Sequence, residues 1–345
     1  VGDQTLPPFG WQQVLGRWEF APVVTVLTIA LAVLYLEGAR RVRQRHPARP
    51  WPWWRTGMFL GGLAVVVLAT ESGIGAYDDV LVWDHMIQHL MLIMVAPAML
   101  VTGQPVTLLL HASRNPLHTW TKRVVRSRVV TWLTWPPVGV IAYTVTIIGT
   151  HLTRLMGLVI TNPALHAAEH ALYLVVGYLF FLPLLGREPV RWRISYPVRL
   201  FVLFLTMPVD TFTGLALGYM TSPPAGLGPR PAWAPSVLSD LHSAGAVMWV
   251  GGDGIMFALM MVVFLAWSRE GQISVSGHGW LESARRASFA GLTRSAPERE
   301  TAGPAPAGPQ RERATIDDDE HLAAYNAYLA RINEAERRKP HHEPR

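Results

Sequence analysis

Two histidines four residues apart, His85 and His89 in Trp83-Asp84-His85-Met86-Ile87-Gln88-His89, stand at the mouth of an apolar run that continues to about Leu100. On a helix, residues i and i+4 lie one above the other on a single face. With that spacing a helix can offer two imidazoles to one metal ion. His166 and His170 repeat it at the start of another apolar run, and His151 and His242 sit at the edges of two more. The chain contains no cysteine, so thiolate sites and disulfides are excluded. Any metal must be held by nitrogen, oxygen or thioether sulfur.

The elements that carry these residues follow from run length. Half of the residues are hydrophobic and the mean hydropathy is +0.22. A helix that crosses a bilayer needs roughly 20 mostly apolar residues. The windows 22–39, 57–76, 84–103, 130–150, 164–185, 199–219 and 239–267 qualify. The expected fold is an all-α polytopic membrane protein, a bundle of seven transmembrane helices. Three alternate loops hold fifteen basic residues: Arg40, Arg41, Arg43, Arg45, Arg49 and Arg55; Arg114, Lys122, Arg123, Arg126 and Arg128; and Arg187, Arg191, Arg193 and Arg199. The other loops and the N-terminal lead hold only Arg17, Arg154 and Arg230. Basic loops stay in the cytoplasm, so the N-terminus is expected outside and the C-terminus in the cytoplasm. Because the net charge of +6 is spread by loop, it indicates topology and not a nucleic-acid partner.

On this topology His85, His89, His151, His166, His170 and His242 all fall at extracytoplasmic helix ends, within roughly two turns of the boundary at 1.5 Å per residue. A lone interfacial histidine is ordinary. Six at one depth on four spans predict a multi-histidine metal site at the outer mouth of the bundle. The expected arrangement has one ion between His89 and His170, supported by His85 or His166. Imidazole suits copper, zinc, iron and nickel, and neighbouring thioether points to Cu(I). Met86 and Met248 are candidate sulfur donors, and Glu169 and Asp240 are candidate ligands or orienting acceptors. Asp210 and Asp253 fall near mid-span, where a carboxylate is costly and marks either function or a polar clamp between helices.

Residues 1–20 form an extracytoplasmic lead with Trp11 and Trp18 at interfacial positions. The membrane domain is expected over 21–267. Pro136-Pro137 is expected to kink the fourth span, and the Pro- and Gly-rich 221–237 loop to lie irregularly. From 268 to 345 a mostly disordered cytoplasmic tail is expected, with a linker at 297–314 and a helix at 317–338 opened by Asp317 to Glu320.

His85-Met86-Ile87-Gln88-His89-Leu90, then Ala96-Pro97-Ala98-Met99-Leu100 and Gly103-Gln104-Pro105, resemble the signature of the seven-helix CtaG family of bacterial cytochrome c oxidase assembly proteins. His166-Ala167-Ala168-Glu169-His170 and Ala246-Val247-Met248-Trp249-Val250 resemble its later blocks, and Trp18, Tyr35, Gly38, Arg40 and Arg41 its first span. The resemblance covers about residues 11–267. It implies a non-enzymatic assembly factor in the bacterial plasma membrane that handles copper for the binuclear centre of the oxidase's catalytic subunit, with an extracytoplasmic copper donor as a further partner. Copper, as Cu(I), ranks ahead of zinc or iron. Thr153 stands where the family pattern has proline, which weakens the role of His151. Asp240-Leu241-His242 stands where many members have Asp-Gln, which adds His242.

Three other functions compete. A transition-metal transporter would use the outer histidines for entry and Asp210 with Asp253 as a path, but such sites usually lie near the midplane and no inverted repeat is visible. A diiron enzyme would need more carboxylate ligands, and a bis-histidine haem protein would take one imidazole from each side of the ring.

Overall fold

The protein is described by a computed structural model over residues 6–192, 194–222 and 230–270. In chain order the main helices are α1 (Pro22–Arg45), α2 (Trp53–Tyr77), α3 (Val82–Ala112), α4 (Pro136–His151), α5 (Leu155–Thr161), α6 (Pro163–Leu185), α7 (Tyr196–Gly218) and α8 (Val237–Glu270). No strand occurs among the described residues. Six of the eight helices are each long and apolar enough to cross a bilayer, whereas α4 and α5 pass that test only together, as a pair bent by 70°. Apart from its first three positions, the expected tail falls outside the described residues, as do the linker 297–314 and the helix 317–338.

Burial along the spans is the reverse of a water-soluble protein. Leu27, Leu34, Val145, Phe204 and Phe257 face outward, while Gln88, Thr206, Asp210, Thr213 and Asp240 are fully enclosed. A surface of bare hydrocarbon fits a bilayer, and the polar groups inside must find partners from the protein. Helices α3 and α6 are central, with 56% and 50% of their apolar windows buried against 11% for α1.

The two central helices meet through one close contact. Pro97 has no N–H to donate to the carbonyl four residues back, at Ile93, and α3 widens there into a π turn, Met91–Val95. Gly177 of α6 lies against that carbonyl, so closely that a Cβ at 177 would stand 2.1 Å from Ile93 O and 2.8 Å from Pro97 Cγ. Only a glycine fits. The helix pair α7 and α8 is joined in the same way, since a Cβ on Gly245 would stand 2.4 Å from Gly214 O.

The start of α3 is fixed from α8. The Asp240 carboxylate accepts from the backbone N–H groups of Val82 (2.9 Å) and Trp83 (3.2 Å), and also from Arg230 Nη2 at 2.7 Å. The first N–H groups of a helix have no partner within it, and a carboxylate there also complements the helix dipole. The N-terminal lead closes over this end, with Phe9 edge-on to Tyr77 and Trp83. Trp11 and Trp18 remain exposed, as interfacial anchors do.

One expectation about the fourth span is corrected. Pro136 and Pro137 occupy the first turn of α4, where a missing N–H removes no helical bond, so they start the helix and do not kink it. The bend lies at the other end, after His151. There the Thr153 hydroxyl donates to Gly149 O (2.6 Å) and accepts from Leu155 N (3.1 Å), so a side chain makes the turn where the family pattern has proline.

Gly177→Ala should lower stability in detergent by about 2 kcal/mol, since the added methyl must force α3 and α6 apart. Gly57→Ala, where a Cβ meets nothing within 4 Å, should stay within about 1 kcal/mol of wild type. Thermal denaturation of the two variants checks this; equal melting temperatures would show that the α3–α6 contact relaxes freely.

Candidate metal centre

Helices α3, α4 and α6 bring five of the six predicted histidines together. His85 and His89 project from the first turns of α3, with ring centroids 4.1 Å apart. His85 also stacks on His166 of α6 at 5.1 Å, and His89 packs edge-on against His151 at 5.1 Å and Tyr173 at 4.4 Å. His85, His89, His151 and Glu169 are buried, and His166 and His170 are partly buried.

A chain of hydrogen bonds assigns the proton on each ring of the first branch. His151 Nδ1 lies 2.9 Å from the Ile147 carbonyl, which can only accept, so that nitrogen carries the hydrogen. His151 Nε2 then accepts from His89 Nδ1 at 3.1 Å. His89 Nε2 is left with its lone pair, and it lies 3.4 Å from Glu169 Oε2. His151 thus sets the tautomer of His89 in the way that partners of metal-bound histidines do.

Glu169 is held at one oxygen only. Tyr173 donates to Oε1 at 3.1 Å and is itself 2.7 Å from Thr150 Oγ1. Glu169 Oε2, His89 Nε2, His166 Nε2 and His85 Nδ1 are all buried without a hydrogen-bond partner among the described residues. Unmet polar atoms inside an apolar bundle are costly unless a ligand satisfies them. Their positions suit a metal: atoms of His85, His89 and Glu169 lie within 4.8 Å of one another, as do those of Asp78, His85 and His166. His85 belongs to both sets.

Asp78 enters from the turn after α2. Its Oδ2 lies 3.6 Å from His166 Nε2 and accepts from Gln88 Nε2 at 2.7 Å. Burial, with Asp79 adding repulsion, holds the Asp78 carboxyl well above the usual carboxylate range, while the Gln88 bond opposes that rise. Gln88 also donates to Ala69 O at 2.9 Å, so its carbonyl faces His170, whose Nε2 donates to it at 3.0 Å. His170 therefore braces Gln88 with Nε2 and has only Nδ1 left for a metal.

The remaining predicted residues lie elsewhere. His242 is exposed, with Nε2 3.3 Å from Met220 O, and is not among the histidines that meet at the cluster. Asp240 is the cap of α3 described above. Met86 and Met248 are fully buried in the main apolar core, where they pack as hydrocarbons. Asp210 accepts from Tyr143 at 3.0 and 3.1 Å, and Asp253 accepts from Thr211 at 2.7 Å, so each mid-span carboxylate is clamped by a hydroxyl on a neighbouring helix. Asp84 is fully buried with neither oxygen partnered among the described residues, and nothing in the structure accounts for it.

Sequence reading missed four participants. They are Asp78, Gln88, Thr150 and Tyr173, none of which stands at a metal-ligand spacing in the sequence. An amide one residue before His89 in an apolar span is a usable signal, since such a group must be satisfied inside the bundle. Asp78 lies outside any helical period and left no comparable mark.

Residues 33–270 match the family model described as cytochrome c oxidase caa3 assembly factor (Caa3_CtaG). Similar proteins include Uncharacterized protein Mb0105 of Mycobacterium bovis and Uncharacterized protein MT0111 of Mycobacterium tuberculosis, each 30% identical over 268 residues, and Uncharacterized protein ML1998 of Mycobacterium leprae, 28% identical over 263. These alignments cover 75%, 75% and 73% of this chain, and the chain spans 40% of the length of each relative. No solved structure matches. Apart from Trp18, the motif residues that resemble CtaG lie within the matched region, and the chain belongs to the Caa3_CtaG family of cytochrome c oxidase assembly factors.

Proposed function

We propose that this protein binds copper at the His85–His89–Glu169 cluster, with His166 and Asp78 adjoining, and passes it to the binuclear centre of the oxidase's catalytic subunit. The observation that carries the reading is the convergence of buried polar atoms without a hydrogen-bond partner among the described residues: His89 Nε2, His166 Nε2 and Glu169 Oε2. Family membership supplies the oxidase as the protein assisted. Imidazoles suit copper in either oxidation state, and the carboxylates add harder donors than the thioethers expected from sequence. With no thiolate in the chain, the site should release its cargo more readily than a cysteine site does. His151, Tyr173 and Gln88 orient the donors and do not ligate. The clamped state of Asp210 and Asp253 favours a polar joint over an ion path.

On the same reading α4 with α5 forms the seventh span, and the protein lies in the bacterial plasma membrane with the histidine end outside, where an extracytoplasmic donor can load it. A reporter fused after Arg345 should then be active only in the cytoplasm, and one inserted in the 221–237 loop only outside. A cytoplasmic 221–237 loop would reverse the placement of the site.

Protein purified in detergent should bind copper, and His85→Ala with His89→Ala should lose it, by metal analysis. In cells the same double variant should leave the oxidase's haem in place while depleting copper from its binuclear centre. His46→Ala and His118→Ala, at the opposite helix ends, should change neither quantity. Full copper in both proteins with His85, His89, His166 and His170 all replaced would end the metal reading.

Copper affinity should fall as the pH is lowered, because imidazole and carboxylate donors must be proton-free to ligate. The raised Asp78 carboxyl works in the same direction: it holds its proton to higher pH than an exposed aspartate, so acid removes a donor early. Isothermal titration from neutral pH downward measures the slope, and an affinity that stays constant until the protein unfolds in acid would exclude imidazole ligation.

A further inference from the structure

At the end of the bundle away from the histidines, the end of α1, the start of α2 and the last turns of α3 enclose a cleft of about 560 Å³ lined by Arg45, Arg49, Arg55, Trp51 and His111 among others. A second cleft of about 370 Å³, between the approach to α4 and the α6–α7 connection, is lined by Arg126, Arg128, Arg191 and the rings of Trp132, Trp135 and Trp192. Among the described residues neither lining contains a carboxylate. We propose that these two clefts bind the phosphate of anionic phospholipid headgroups.

Three guanidinium groups around one cleft repel each other unless an anion joins them, and the planar N–H fork of arginine matches phosphate oxygens better than any other side chain. The first cleft is built for this. Arg55 stacks over Trp51 with its guanidinium carbon 4.9 Å from the ring, and its Nε is buried without a partner among the described residues. The Trp51 ring is itself fixed, since Nε1 donates to Tyr35 OH at 3.0 Å, which donates to Gly103 O at 2.7 Å. Arg45 is anchored by one nitrogen to Ala112 O at 2.6 Å, which leaves its other donors for the cleft. The carboxylate of Glu188 adds one negative charge near Arg55, but its two oxygens already accept from Val106 N, Thr107 N and Thr107 Oγ1.

Position selects a lipid over a soluble phosphate ester. Arg45 ends α1 and Trp53 starts α2, so the first cleft lies where the apolar helices begin and end, the level of the headgroups. Trp53 is 80% exposed and Trp132 60%, as belt residues are at that level. On the same helix as Arg45, exposed Leu34 and Leu36 offer a surface for acyl chains. Basic clefts between transmembrane helices are a recurring form of headgroup site.

The test uses the full chain in a neutral detergent and follows tryptophan fluorescence during titration with dihexanoyl phosphatidylglycerol, dihexanoyl phosphatidylcholine, glycerol 3-phosphate and inorganic phosphate. Phosphatidylglycerol should bind most tightly. Arg49→Gln with Arg191→Gln removes one exposed cation from each cleft and should weaken it roughly fivefold, at about 1 kcal/mol per arginine. Because both side chains are exposed, the melting temperature without lipid should be unchanged, which separates lost binding from lost folding. Equal affinity for the two lipids, or no effect of the double variant, would overturn the proposal. Binding of glycerol 3-phosphate or inorganic phosphate as tight as that of phosphatidylglycerol would overturn the lipid assignment and make the clefts sites for soluble phosphate. None of these outcomes depends on the copper site.

Discussion

The contact between Gly177 and the Ile93 carbonyl sets the geometry on which the rest of this bundle depends. Without water, helices gain little from simply meeting, and close backbone approach through small residues supplies much of what holds them. Here the approach coincides with a proline-induced π turn, so the carbonyl that Pro97 cannot satisfy is covered by the neighbouring helix. The π turn starts two residues after His89, and Gly177 lies two helical turns beyond His170. The same contact therefore fixes the distance between the α3 histidines and the donors on α6.

From that contact outward, the histidine end is assembled by polar groups that have no solvent to turn to. Asp240 holds the start of α3, Gln88 ties α3 to the turn at Asp78 and to His170, and the Ile147–His151–His89 chain ties α4 to α3. Together these bonds tie α3 to its neighbours, while His89 Nε2, His166 Nε2 and Glu169 Oε2 stay without a hydrogen-bond partner among the described residues. The pattern is that of a site whose orienting bonds are complete and whose ligand atoms are not, which is how metal-binding shells are commonly divided.

The two ends of the bundle differ in chemistry for a shared physical reason. Ionisable groups are tolerated at membrane boundaries, so neutral imidazoles with carboxylates gather at one end and guanidinium groups with tryptophans at the other. The mid-span carboxylates Asp210 and Asp253 are the exception, and each is paired with a hydroxyl from a neighbouring helix. Close glycine packing of α7 on α8 brings Thr211 within reach of Asp253.

The sequence by itself determined the all-helical membrane class, most helix limits and the histidine pairs, because run length and the i,i+4 spacing are local properties that no packing can alter. It also carried the family, through motifs that keep their order along the chain. Tertiary structure decided which of those histidines meet. His151, demoted because Thr153 replaces a proline, directs the tautomer of His89, while His242, at the same depth, faces away. Depth is legible from counting residues, but azimuth depends on helix bends, π turns and crossing contacts, and a small error in rotation moves a side chain to another face. For the same reason Asp78 joined the cluster unannounced, since a turn residue is placed only by what packs around it.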